Sequence, residues 1–217
     1  MPGGYRKGLA YPPNPHKVSR MTKKLTKRGS ERREQIVEAA FRLFADEGYH
    51  GTAVGDICDE LGVGKGVFYW YFKSKDDLFR ELLRTCLQRL RRAQHQAIEG
   101  TEDPVSRIEQ GIRASIRFYR EEPGYLAVIR TAARYDEFSG VLHEGQATVV
   151  SDTAIHIKQG MSSGKIRHGD PDLMAHGILG AIYHFVEIYL DTNGSAETDR
   201  PQLEDEAVAF CLRGLLA

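Results

Sequence analysis

The sequence predicts an all-α protein of about nine helices, with a small N-terminal three-helix unit ahead of a larger helical domain. Three observations carry this. Apolar residues recur at helical spacing through almost every segment after residue 30, and no period-two alternation runs long enough for a strand. Gly and Pro punctuate that pattern at Gly48, Gly62, Gly100, Pro104, Pro123, Gly164 and Pro171. The stretch Thr52–Lys75, TAVGDICDELGVGKGVFYWYFKSK, sets two short helices on either side of a Gly-containing turn, the helix-turn-helix pattern.

The elements follow in order. Residues 1–20 hold Pro2, Pro12, Pro13 and Pro15 among Gly and Asn, a composition that reads as disorder. Met21 offers an alternative start, which would make the first twenty residues an extension. Ser30 is a good N-cap for the first helix, whose buried stripe is Ile36, Ala40, Leu43 and Phe44, widened by Ala39 and Phe41. Gly48 ends it. Thr52 caps the second helix, which buries Val54, Ile57, Cys58 and Leu61 and stops at Gly62, a position tolerant of positive φ. Five aromatics, Phe68 to Phe72, then follow the turn, too many for one solvent face. Phe68 and Phe72 share one face, and 65, 66, 69 and 70 share the other.

Ser74 caps the fourth helix, with Asp77 completing a capping box, and this helix runs to about Ile98. Further helices are expected over roughly 104–121, 125–137 and 141–162. Asp170 and Pro171 open the next, which is apolar nearly all round to about Leu190 and so is either central or shared with a second subunit. Residues 191–200 read as a polar loop and 201–216 as the last helix.

The 217-residue chain is 41% hydrophobic and 28% charged, an ordinary soluble balance. No apolar run is long enough to span a membrane, no secretory signal is evident, and a cytoplasmic location is expected. Cys58, Cys86 and Cys211 are far apart and suit buried reduced thiols. The net charge of zero hides an asymmetry: residues 1–30 hold eight basic residues and no acidic one. Such an arm is either a solvated tail or a segment lying along phosphates. Beside a helix-turn-helix, phosphate contact is favoured for Lys23 to Arg28. Five of the eight histidines, His143, His156, His168, His176 and His184, fall in the second half, spaced too widely for a metal site. No nucleophile elbow, phosphate loop or metal-ligand cluster points to an enzyme or a cofactor.

The run IVEAAFRLFADEGYHGT, then Val54-x-Asp56-Ile57, then LGVGKGVFYWYFKSKDDL from Leu61 to Leu78 resemble the TetR family of transcriptional repressors. The resemblance implies a disordered basic arm over 1–29, a DNA-binding domain over 30–76 and a ligand-binding and dimerisation domain over 77–217. It implies a homodimer through the last two helices. It further implies double-stranded operator DNA as partner, with release by a small-molecule inducer that aromatic density suggests is hydrophobic. Carried over by position, Thr52 and Tyr69 look like phosphate contacts. Lys65, Gly66 and Val67 open the recognition helix, Trp70 faces DNA or packs on a neighbouring helix, and Lys75 looks like a phosphate clamp. Two positions depart from the family pattern. Gly64 replaces the usual Ser or Thr cap, and Trp70, standing where a polar residue is usual, cannot make an Arg-type pair with guanine.

The implied pocket has candidates in Phe118, Tyr125, Ile129, Tyr135, Phe138, Met161, Met174 and Phe185, with Arg130 or His143 as a polar anchor. The same residues would equally fill a plain core. The alternative reading is a ligand- or partner-binding helical module with relaxed DNA specificity.

Overall fold

The computed structural model describes residues 26–190, 200 and 202–217. The arm through residue 25, including Lys23 and Lys24, and the polar loop over 191–199 lie outside the described residues. Ten helices follow one another: α1 (Lys27–Asp46), α2 (Gly48–Gly51), α3 (Val54–Glu60), α4 (Lys65–Tyr71), α5 (Lys75–Ile98), α6 (Pro104–Glu121), α7 (Pro123–Arg134), α8 (Asp136–Ser162), α9 (Pro171–Tyr189) and α10 (Leu203–Arg213). The helix beyond the expected nine is α2, a single turn too short to leave a periodic signal.

Several boundaries differ from the sequence reading, each for a local reason. Thr26, not Ser30, caps α1: its Oγ1 accepts from Gly29 N at 3.2 Å, and Ser30 N already donates to Thr26 O at 2.9 Å. The last basic residues of the arm, Lys27 and Arg28, are therefore helical and exposed. Ala53, not Thr52, is the N-cap of α3, because the Asp56 carboxylate accepts from Ala53 N at 2.6 Å and does the work of a cap side chain. No loop separates α7 from α8. Tyr135 alone is extended, and Asp136 and Glu137 then sit in the first turn of α8, where the helix dipole favours acidic residues.

The turn between α3 and α4 is a Schellman motif. Val63 N donates to Cys58 O at 2.9 Å and Gly62 N to Asp59 O at 3.1 Å, with Gly62 at φ +63°. Gly64 caps α4 without a side-chain bond, and the helix forms regardless. Ser74 Oγ accepts from Asp77 N, while the Asp77 carboxylate accepts from Lys73 N, one residue ahead of a standard capping box.

One buried core runs the length of the chain. Ile36, Ala40, Phe44, Ile57, Phe68 and Phe72 fill the N-terminal unit, and Leu78, Phe79 and Leu82 of α5 close it from the far side. α5 then continues into a bundle with α6, α8 and α9. α9 buries Ala175, Ile178, Ile182 and Val186 and turns Leu173 and Ile188 outward beside the exposed Phe210 of α10. All three cysteines are buried and free. Among the described residues, no helix is long and apolar enough to cross a membrane.

Because Gly62 holds a left-handed backbone, Gly62→Ala is expected to destabilise the protein by about 1–2 kcal/mol. Urea unfolding of the two proteins checks this.

Candidate functional site

α4 sorts its aromatics by face. Phe68 and Phe72 are 1% and 2% exposed and anchor the helix, while Tyr69 and Trp70 are 56% and 60% exposed. Tyr71 is half-buried against the core. Lys65, Gly66 and Val67 are exposed with Tyr69 and Trp70, so five of the seven predicted DNA-facing residues come together on one surface. Trp70 packs on neither α1 nor α5; its ring meets Tyr71 edge-on at 4.5 Å. A side chain at Gly66 would meet no protein atom within 4 Å, so the fold does not demand glycine there. The missing side chain leaves the backbone of α4 open to close approach.

The other two predicted residues have structural roles. Thr52 is fully buried, and its hydroxyl donates to Gly48 O at 3.0 Å. It has no surface to offer a phosphate. Lys75 is turned inward: Nζ donates to Tyr49 O at 2.7 Å and Thr52 O at 2.8 Å and stands 4.3 Å from the Tyr49 ring centre. Burial lowers the pKa of Lys75, with the Asp76 and Asp56 carboxylates opposing. The Tyr49 hydroxyl donates to Asp76, and burial together with that carboxylate raises the phenol. Lys75 thus staples the end of α2 to the start of α5.

A cavity of about 270 Å³ lies in the second half, enclosed by α5, α6, α8 and α9. Leu90, Ile108, Ile112, Val149, Ile178 and Ile182 give it apolar walls. Polar groups break those walls. Gln94 Nε2 donates to Ser115 Oγ at 2.9 Å, and Ser115, only 3% exposed, donates to Gly111 O at 2.8 Å. Asp152 accepts from Arg91 at 2.6 and 3.2 Å and faces His95 Nε2 at 3.3 Å. Arg107, Tyr119, His156 and Tyr183 also line it.

The family model for bacterial regulatory proteins of the tetR family matches residues 36–82, the span from α1 through the first third of α5. Residues 36–82 thus carry a tetR-family regulatory domain. It is similar to the HTH-type transcriptional regulator YhgD of Bacillus subtilis, 25% identical over 194 residues, 86% of this chain and 98% of that one. It is also similar to the HTH-type transcriptional repressor KstR2 of Mycobacterium tuberculosis, 29% identical over 105 residues, 48% of this chain and 52% of that one. The matched segment thus spans about half of each of the two chains. Among solved structures, a transcriptional regulator from Saccharomonospora viridis in complex with choline superposes with a TM-score of 0.75 at 22% identity, over 87% of this chain and 99% of that one. At that identity the likeness shows the fold.

The cavity is not where aromatic density suggested. Of the ten ligand candidates only Ile129 lines it. Phe138 is fully buried against Phe79 and Tyr49, at the junction of the two halves. Phe118 and Tyr125 stack at 5.0 Å, and Tyr125 also meets Phe41 of α1. Arg130 donates to Glu187 O at 2.8 Å, joining α7 to α9. Phe185 packs on Phe210, Met174 lies in a separate groove with Phe210 and Cys211, and His143 is exposed. Tyr135 packs on His50, and Met161 lies outside the cavity. Large aromatics were used to cement helices together, while the cavity formed where smaller and polar residues interrupt the stripes. Ser115, falling between Ile112 and Ile116 of a buried row, is the signal that marks it in the sequence.

Lys75→Met leaves two carbonyls without their cation and is expected to cost about 2 kcal/mol of stability. Tyr69→Phe should leave stability unchanged while weakening DNA binding for every sequence alike. Thermal melts and DNA titrations of both variants check this pair.

Proposed function

We propose that the chain is a homodimeric repressor that leaves its operator when a small molecule occupies the cavity. One observation carries the reading: a single helix serves both sites. α5 grips the helix-turn-helix through Lys75 and Phe79 and lines the cavity through Leu87, Leu90, Gln94 and Ile98. A ligand that favours one setting of α5 therefore favours one setting of α4. It shifts the population by its difference in affinity for the two.

Dimerisation supplies the leverage. The outward apolar residues Leu173 and Ile188 of α9 and Phe210 of α10 suit burial against a second copy. A symmetric operator presents half-sites about 34–36 Å apart, so a small change in the separation of two α4 helices breaks register. Repression agrees with the name of KstR2, and a small ligand agrees with the choline bound to the Saccharomonospora viridis regulator. The N-terminal unit has no general positive field, since residues 31–80 carry seven basic and ten acidic residues. Non-specific attraction then falls to the basic arm.

Gel shifts on the DNA upstream of the protein's own coding region test the reading, with preference for one duplex expected and equal affinity for unrelated duplexes counting against it. Gly111 gives a sharper test. It lines the cavity, and a Cβ added there would meet no neighbouring atom within 4 Å. Gly111→Phe should fill the space, keep DNA affinity and abolish release by any compound that releases the parent. Release at the parent's ligand concentration would rule the cavity out.

A further inference from the structure

The two ends of the cavity differ in charge. Arg107, in the second turn of α6, lines one end, and its Nε donates to Thr101 O. Among the described residues no carboxylate lies within ion-pair distance of it. The carboxylate lining the cavity, Asp152, is already neutralised by Arg91 at 2.6 and 3.2 Å and also meets His95. His156, one helical turn beyond Asp152 on α8, stands at the same end, and its Nδ1 is buried without a hydrogen-bond partner. This end therefore keeps an uncompensated cation and an unsatisfied imidazole nitrogen.

At the other end lie Tyr119 of α6 and Tyr183 of α9, and burial raises the pKa of both phenols. Neither hydroxyl has a hydrogen-bond partner among the described residues. From Arg107 to Tyr119 the α6 backbone rises about 18 Å. A volume of about 270 Å³ spread along that length is narrow.

We propose that the cavity takes an elongated amphipathic monoanion, its apolar body between the Leu and Ile walls and its carboxylate against Arg107 and His156. This rests on the cavity being the inducer site. A cationic ligand would need a free carboxylate or an aromatic cage. Asp152 is occupied, and the two tyrosines stand at the end away from it. A neutral ligand would leave Arg107 uncompensated, whereas a carboxylate would supply the charge-assisted bonds it lacks.

The imidazole adds a proton linkage. Burial first, and then Arg107 and His95, hold the His156 pKa below the ordinary 6.5, with Gln159 and Asp152 opposing; His176 of α9 lines the same cavity. An anion beside His156 favours its imidazolium form. Binding then takes up a proton, and affinity rises as pH falls through the imidazole range.

Calorimetric titration of the full chain with decanoate, decanol and decyltrimethylammonium tests the proposal. Decanoate should bind about tenfold tighter than either probe of matched length, the difference one charge-assisted hydrogen bond makes. Arg107→Gln should remove that advantage and leave decanol affinity within about twofold, which separates loss of the charge from the loss of its bond to Thr101 O. Decanoate affinity should rise between about pH 8 and about pH 6 in the parent and stay flat in His156→Gln. Equal affinities for the three probes, tighter binding of the ammonium, no binding of decanoate or indifference to Arg107→Gln would each overturn the assignment. Release of DNA is read separately. Arg107-dependent binding without release would sink the inducer reading and leave the ligand class standing.

Discussion

The ammonium of Lys75 is the interaction on which the arrangement depends. α2 is one turn long and cannot hold its own carbonyls. The ammonium accepts that task by donating to Tyr49 O and Thr52 O from the first residue of α5. Partial burial makes the charge costly there, and the neighbouring Asp76 keeps it in place. Asp76 also receives the Tyr49 hydroxyl, so the turn is held at its backbone and at its ring. Around this node Phe44, Tyr49, Phe79 and Phe138 pack on one another, Tyr49 edge-on to Phe79 and Phe138, bringing α1, α2, α5 and α8 to one point. The node fixes α5 against α1 and α2, the elements on which the N-terminal unit is built.

From that node α5 runs 24 residues, and its far half borders the cavity. One continuous helix thus joins the mount of the N-terminal unit, at Lys75 and Phe79, to the wall of the cavity, at Leu87 and Leu90. Interiors pack densely and shift between discrete arrangements more readily than they deform. The proposed function requires that filling the narrow space beside Leu87 and Leu90 be felt at Lys75 as a change of helix setting. The direction of the effect follows from which setting the ligand binds better, and a ligand equally suited to both would do nothing.

Much of this was legible in the sequence, and the parts that were not share a cause. The fold class and the bounds of α5 and α6 followed from apolar period and from signals such as the Ser74 cap and Pro104, since those signals are local. The division of α4 into Phe68 and Phe72 against Tyr69 and Trp70 also followed from helical spacing. Lys75 and Thr52 were misread, because whether a lysine reaches outward or folds onto a carbonyl depends on a turn that spacing does not describe. The cavity was misread for a related reason. Phe138 and Tyr125 look like pocket aromatics in one dimension, but in three they seal the joint between the halves. The meeting of Asp152 with Arg91 and His95 joins residues about sixty positions apart, and no local pattern announces it.

The claim that the exposed face of α4 meets DNA can be tested at one atom group, because Trp70 is the sole tryptophan of the chain. Its emission can be quenched by acrylamide with and without a saturating duplex carrying the operator. The account predicts that bound DNA shields the ring and lowers the quenching constant. An unchanged constant on a duplex that fully shifts the protein in a gel would contradict it.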